Sequence, residues 1–205
     1  MEPFRRIEGA AAPLARPNVD TDQIIPKQFL KRIERSGYGP FLFFDWRYRD
    51  ADVSRENPDF ELNRPEWKGA PILIAGRNFG CGSSREHAVW ALEDWGVRAV
   101  IAPSFGDIFA TNARKVGLLP IVLPEDVVTR WLDAAAEDPH TTAVVYLEAG
   151  YVEMLGERHP ISIDDESRRR LLGGLDEIAL TQQRVEAISA YEARRPTWLP
   201  ATQPA

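Results

Sequence analysis

Cysteine is almost missing from the 205 residues: only Cys81 is present. One thiol forms no internal disulfide. Nor does it hold an iron–sulfur cluster or a structural zinc alone, because such sites take about four ligands, most of them thiolates. Any such metal has to come with another chain, and so little cysteine suits the cytoplasm. Basic excess is also lacking. Lys and Arg number 25 against 31 Asp and Glu, for a formal charge of −6, so a nucleic-acid partner is not expected. No apolar stretch approaches the ~20 residues that span a bilayer. None follows the arginines of MEPFRRIEG either, so neither a membrane segment nor a secretory signal is expected. Internal repeats and low-complexity blocks are absent. A hydrophobic content of 44% is that of an ordinary globular chain, long enough to bury one sizeable core.

FRRIEGAAAPL suggests two short extended pieces around Gly9. A turn is expected at Asp20 and Asp22, with an extended exit through Ile24, Ile25 and Pro26. KQFLKRIERSGYG predicts a short helix, Lys27–Arg35, ended near Gly37 and Gly39. No periodicity persists from Pro40 to Lys68. Irregular excursions of that length are uncommon in compact domains, and Phe41, Phe43, Phe44, Trp46 and Tyr48 are too apolar for open solvent. They are expected to cover the core or meet a partner. From Ala70 onward the strands PILIAG, VRAVIAPSF and LLPIVL alternate with helices at Arg85–Trp95, FGDIFATNARKVG and EDVVTRWLDAAAED, glycine closing the first two. That alternation predicts parallel pairing and an α/β layer. TAVVYLEAGYVEMLGERHPISI reads as antiparallel strands turning near Gly150 and Gly156. Two helices follow, Asp165–Leu172 and Leu175–Arg194. The expected whole is one α/β domain over residues 1–196, a mixed sheet with flanking helices. Residues 40–68 form its irregular excursion and 197–205 a disordered tail.

The densest chemistry lies in NFGCGSSREHAVWAL, Asn78 to Leu92, a strand–turn–helix junction. Gly80 and Gly82 permit backbone conformations closed to other residues. Ser83 and Glu86 have capping-box spacing. A helix start of this kind binds anions through its free N–H groups. Arg85, placed in the first turn, opposes the helix dipole unless an anion sits beside it; a capped helix with a solvated Arg85 is the plainer alternative. The pattern is neither a Walker loop nor a dinucleotide fingerprint. His87 reads as a hydrogen-bonded structural residue, and Cys81 as a small packing residue.

GCGSSREHA resembles the signature of the smaller, swivelling domain of the aconitase superfamily. DTDQIIP (Asp20–Pro26) is similar to the acidic turn near that domain's start, and SFGDIFATNARKVGLLPI (Ser104–Ile121) to the segment after the serine helix. FLFFDWRY and NPDFELN resemble the bacterial isopropylmalate isomerase small-subunit family, and the likeness runs from about Phe4 to Pro196. It implies a single swivelling β/β/α domain and a hydro-lyase of leucine biosynthesis. The reaction would convert 2-isopropylmalate to 3-isopropylmalate through isopropylmaleate. This chain would bind no cofactor, and a large subunit would carry a [4Fe–4S] cluster, with the active site between the two chains.

Residue by residue, the resemblance implies that Ser83 supplies an alkoxide base and Ser84 donates a hydrogen bond to substrate. Arg85 would grip a substrate carboxylate, its planar fork suiting that task. Asp22 would orient a histidine of the cluster-bearing part, although turn formation accounts for it equally well. Asn112 and Lys115 match the family's T-N-x-x-K segment but fit a structural role as well, so they stay outside the site. The stretch after Ile24-Ile25-Pro26 departs from expectation: Lys31 and Arg32 stand where apolar residues would meet an isopropyl group. In relatives acting on homocitrate-like acids a basic residue there meets the extra carboxylate, which makes Lys31 and Arg32 substrate-binding candidates. A homoaconitase- or methylmalate/citraconate-type hydratase therefore stays open. So does a non-catalytic anion-binding partner subunit.

Overall fold

The computed structural model describes residues 1–32, 34–50 and 52–195. Along the chain run β1 (Arg6–Leu14), α1 (Thr21–Ile24), α2 (Phe44–Arg47), β2 (Ile72–Ala75), α3 (Glu86–Trp95), β3 (Ala99–Ala102) and α4 (Asp107–Val116). Then come β4 (Leu119–Val122), α5 (Glu125–Glu137), β5 (Thr142–Tyr146), β6 (Tyr151–Met154), β7 (Glu157–Pro160), α6 (Asp165–Gly173), α7 (Glu177–Gln182) and α8 (Val185–Glu192). One seven-stranded sheet has the order β4-β3-β2-β1-β5-β6-β7. It is parallel from β4 to β1 and antiparallel from β1 to β7, the mixed α/β arrangement expected.

β1 is one nine-residue strand, not two pieces around Gly9. Its Arg6–Ala10 half pairs with β5 and its Ala11–Leu14 half with β2. Gly9 serves close approach rather than a turn: a Cβ there would lie 2.6 Å from the Pro71 ring. Every residue of β2 and β3 is buried, as befits strands covered on both faces. Leu73, Ala75, Val100 and Ala102 face a core built with α3, α4 and the excursion, while Ile72, Ile74, Ala99 and Ile101 face Trp131 of α5 and Phe4. That alternation is the period of two of a pleated strand.

The excursion belongs to the first of these cores. It folds into short turns at Gly39–Phe41, α2, Glu61–Asn63 and Pro65–Trp67, with Leu42, Phe43, Phe60, Leu62 and Trp67 buried. Arg47 pins it from inside, only 3% exposed. Its guanidinium donates to the carbonyls of Gly39 at 2.9 Å and Leu42 at 3.3 Å, and to Asn63 Oδ1 at 3.3 Å. It also lies 4.0 Å from the Trp95 ring.

Two helices differ from expectation. The segment predicted as Lys27–Arg35 is a 3-10 turn over Lys27–Lys31, after which Arg32 is already extended. Leu175–Arg194 divides into α7 and α8; neither buries a residue, so no packing face enforces one straight helix. The predicted tail, 197–205, lies outside the described residues. Among these, no helix is long and apolar enough to cross a membrane.

Replacing Arg47 by alanine leaves the Leu42 carbonyl and Asn63 Oδ1 without the guanidinium and the Gly39 carbonyl with only the Leu42 N–H. The loss should cost about 3 kcal/mol of unfolding free energy, read as a fall in the urea midpoint of the isolated chain.

Candidate active site

Loops leaving the carboxyl ends of β1, β2 and β3 meet at one edge of the sheet, the edge where parallel α/β sheets bind ligands. Backbone bonds tie them together: Gly80 N–H to Val19 O at 2.7 Å, Thr21 N–H to Cys81 O at 2.9 Å, Phe79 N–H to Ser104 O at 3.1 Å and Gly106 N–H to Phe79 O at 2.9 Å. Asn78 Nδ2 donates to Asn18 Oδ1 at 2.9 Å, and Thr21 Oγ1 donates to Ser83 O at 2.8 Å. The three motifs read from the sequence are thereby one structure. Gly80 makes this possible at φ +72°, where a Cβ would collide with the Phe109 ring.

The capping box sits elsewhere than expected. Helix α3 begins at Glu86 with Arg85 as its N-cap, and no side chain caps it. Ser83 lies two residues upstream, its carbonyl held by Thr21. The reciprocal box forms on α1 instead: Asp20 Oδ1 accepts from Gln23 N–H at 2.8 Å and Gln23 Oε1 accepts from Asp20 N–H at 2.9 Å. Arg85, expected in the first helical turn, precedes it, and its charge is met by Asp22. Nη1 bonds Asp22 Oδ1 and Nη2 donates to Oδ2 at 2.8 Å, with a longer contact from Nη1 to Ile25 O at 3.4 Å.

The Arg85 hydrogen bond holds the Asp22 carboxyl below the usual range against the opposing effect of burial, and Lys27 adds to the lowering. The folded value is depressed. The pair therefore stabilises the fold above the unfolded carboxyl's pKa, and that contribution is lost as pH falls through the lower folded value. Asp22 is half exposed and Arg85 largely buried.

Ser83 and Ser84 are exposed. Among the described residues their hydroxyls meet no partner, and the backbone N–H groups from Ser83 to His87 reach no acceptor. Such an edge can receive a carboxylate and stabilise a serine alkoxide. Lys31 is exposed at the end of its 3-10 turn. Arg32 lies 5.4 Å from both the Tyr38 and Phe41 rings, donates to Gly37 O at 3.4 Å and approaches Glu34 at 3.6 Å. The structure thus pairs Asp22 with Arg85, ties Ser83 to the same turn through Thr21, and leaves Lys31 and Arg32 outside these bonds. His87 packs on Tyr38 and Trp90, with ring centroids 5.3 and 4.7 Å apart. Burial pushes the Cys81 thiol up, away from a reactive thiolate. Sequence reasoning missed Thr21, the anchor of the serine loop, and Lys27, the second cation beside Asp22. Only their places in DTDQIIPK hint at either. Among the described residues no group of three or more His, Cys, Asp or Glu could hold a metal ion.

Ser83→Ala removes a hydroxyl with no partner, so stability should shift by less than about 0.5 kcal/mol. Thr21→Val removes a buried bond and should cost about 1 kcal/mol, with faster amide exchange at residues 82–86. An equal loss for both would mean that Ser83 caps its helix after all.

Comparison with known proteins gives the family and the fold. The family described as aconitase C-terminal domain matches residues 1–126, and the family of the C-terminal domain of 3-isopropylmalate dehydratase small subunits matches 177–205. The 3-isopropylmalate dehydratase small subunit of Rubrobacter xylanophilus is 53% identical over 200 residues, covering 98% of each chain. The protein of the same name from Bacillus pumilus is 56% identical over 204 residues, covering 98% of this chain and 100% of its own. The crystal structure of 3-isopropylmalate dehydratase from Methanocaldococcus jannaschii superposes with a TM-score of 0.63 at 26% identity, over 90% of this chain and 98% of that one.

Proposed function

The chain belongs to the family of 3-isopropylmalate dehydratase small subunits, and on that premise we propose that it forms half of the active site of a two-subunit hydro-lyase. The enzyme would isomerise 2-isopropylmalate and 3-isopropylmalate through isopropylmaleate, in the cytoplasm, as a step of leucine biosynthesis. The observation that carries this reading is the convergence of Asp22, Ser83 and Arg85 on an open, donor-rich edge.

Dehydration removes a proton from carbon beside a carboxylate and expels hydroxide. Ser83 Oγ, as the alkoxide, takes that proton and gives it back on rehydration. A serine hydroxyl is a poor base at neutral pH, so the alkoxide needs fixed donors, and the free N–H run from Ser83 to His87 supplies them. Arg85 binds a substrate carboxylate through its fork, and Ser84 donates a hydrogen bond to substrate. With one half-buried cysteine and no cluster of metal-ligating side chains among the described residues, this chain does not fit an iron–sulfur group. The large subunit is the expected carrier of a [4Fe–4S] cluster, which would supply Lewis-acid chemistry for the departing hydroxyl.

On the choice of acid, Arg32 is engaged by Tyr38, Phe41, Gly37 and Glu34. That favours an isopropyl group over a third carboxylate, with Lys31 the one cation of this pair left to meet a substrate. The reconstituted enzyme should hydrate isopropylmaleate in preference to homoaconitate.

The chain purified alone under anaerobic conditions should contain no stoichiometric iron or sulfide and should hydrate nothing. Joined to its large subunit, it should turn over isopropylmaleate. In that complex Ser83→Ala should abolish turnover while leaving substrate affinity nearly unchanged. Arg85→Lys should raise KM by about ten- to a hundredfold, the loss of a charge-assisted bond. Normal turnover by an assembled Ser83→Ala complex would remove Ser83 from the chemistry.

A further inference from the structure

We infer that Asp22 is a positioning residue: it fixes the Arg85 guanidinium relative to Ser83, rather than acting on a histidine of the partner. The inference rests on the reading of Arg85 as the carboxylate binder. Arginine carries several rotatable bonds, and a long side chain two residues from Ser83 on a glycine-rich loop has no intrinsic aim. Asp22 gives it one. Both terminal nitrogens are taken, each by a different carboxylate oxygen, which sets the plane and the reach of the guanidinium together. Among the described residues Nε forms no hydrogen bond, so the Nε edge of the fork remains for a substrate carboxylate.

The element that carries Asp22 is itself fixed. Helix α1 is a single turn, closed at its start by the Asp20–Gln23 box. Thr21, 3% exposed, anchors it to the serine loop through the bonds to Cys81 O and Ser83 O. Consecutive residues of one turn therefore hold the Ser83 carbonyl and the Arg85 guanidinium. The base and the carboxylate grip are registered to the same rigid piece, although they stand on a loop whose own N–H groups are unbonded. Lys27, beside Asp22, offsets part of the negative charge that Asp22 brings to an anion site.

The test uses the two-subunit enzyme and steady-state kinetics with isopropylmaleate. Asp22→Asn should raise KM by about tenfold or more, as misplacing a binding group does, with kcat changed much less. The double variant Asp22→Asn/Arg85→Lys should have a KM close to that of Arg85→Lys alone, because the effect of Asp22 passes through the guanidinium. A general loss of packing would instead add to the Arg85→Lys effect. Should Asp22→Asn fail to assemble, Asp22→Glu takes its place, because it holds the guanidinium at a shifted position. Its KM must then rise in the wild-type background, yet combining it with Arg85→Lys must add nothing to the KM of Arg85→Lys. An unchanged KM in an assembled Asp22 variant, a fall in kcat alone, or full additivity would overturn the inference. A wild-type complex inactive on isopropylmaleate would instead overturn the proposed function, so the two failures are separable.

Discussion

The two-sided pairing of β1 is the constraint from which the rest follows. Its first half is antiparallel to β5 and its second half parallel to β2, so a single strand carries the change of direction across the sheet. Parallel pairing places the carboxyl ends of β1 and β2 at the same edge, and the loops that leave them become neighbours. Only for this reason can Asp22 meet Arg85 and Thr21 meet Ser83, 63 and 62 residues apart in sequence. Were β1 broken at Gly9, the antiparallel half would no longer fix the register of the half that feeds the site. The close approach of Pro71 to Gly9 keeps the strand continuous where a side chain would push β2 away.

Much of the α/β half was legible because strong local signals agreed there. Four-residue apolar runs, helices with one apolar face, and glycine stops at Gly96 and Gly117, both left-handed C-caps, all point to the same alternation. The motif resemblance was legible too, and the family followed from it. What failed had a tertiary cause. Ser83-x-x-Glu86 and Asp20-x-x-Gln23 have the same spacing, and nothing local ranks one above the other. The choice is made by Thr21, whose hydroxyl claims the Ser83 carbonyl, and by Gly82, whose φ of +93° turns the chain before the helix starts. Nothing local in the irregular segment marks Arg47 as buried; its burial depends on the Gly39 and Leu42 carbonyls as that segment folds and on the Trp95 indole of α3. The Asp22–Arg85 pair was out of reach for the same reason, since both partners carried sufficient local explanations.

Helix α3 shows how the aromatic excursion and the site depend on one another. Its N-terminus has no side-chain cap, a state that costs about 1 kcal/mol relative to a capped helix. A capping side chain would occupy the N–H groups that an anion needs, so an open start and a receptive site are the same feature. The helix must then be held by its flanks. The segment around the excursion does this along its whole length: Tyr38 packs on His87 in the first turn, its N–H donates to Asp94 Oδ2 at 2.7 Å near the last, and Arg47 covers Trp95 at the end. Buried contacts far from the chemistry thus stabilise a helix whose reactive end is left unsatisfied, and the long irregular segment gains a functional reason that its sequence alone does not state.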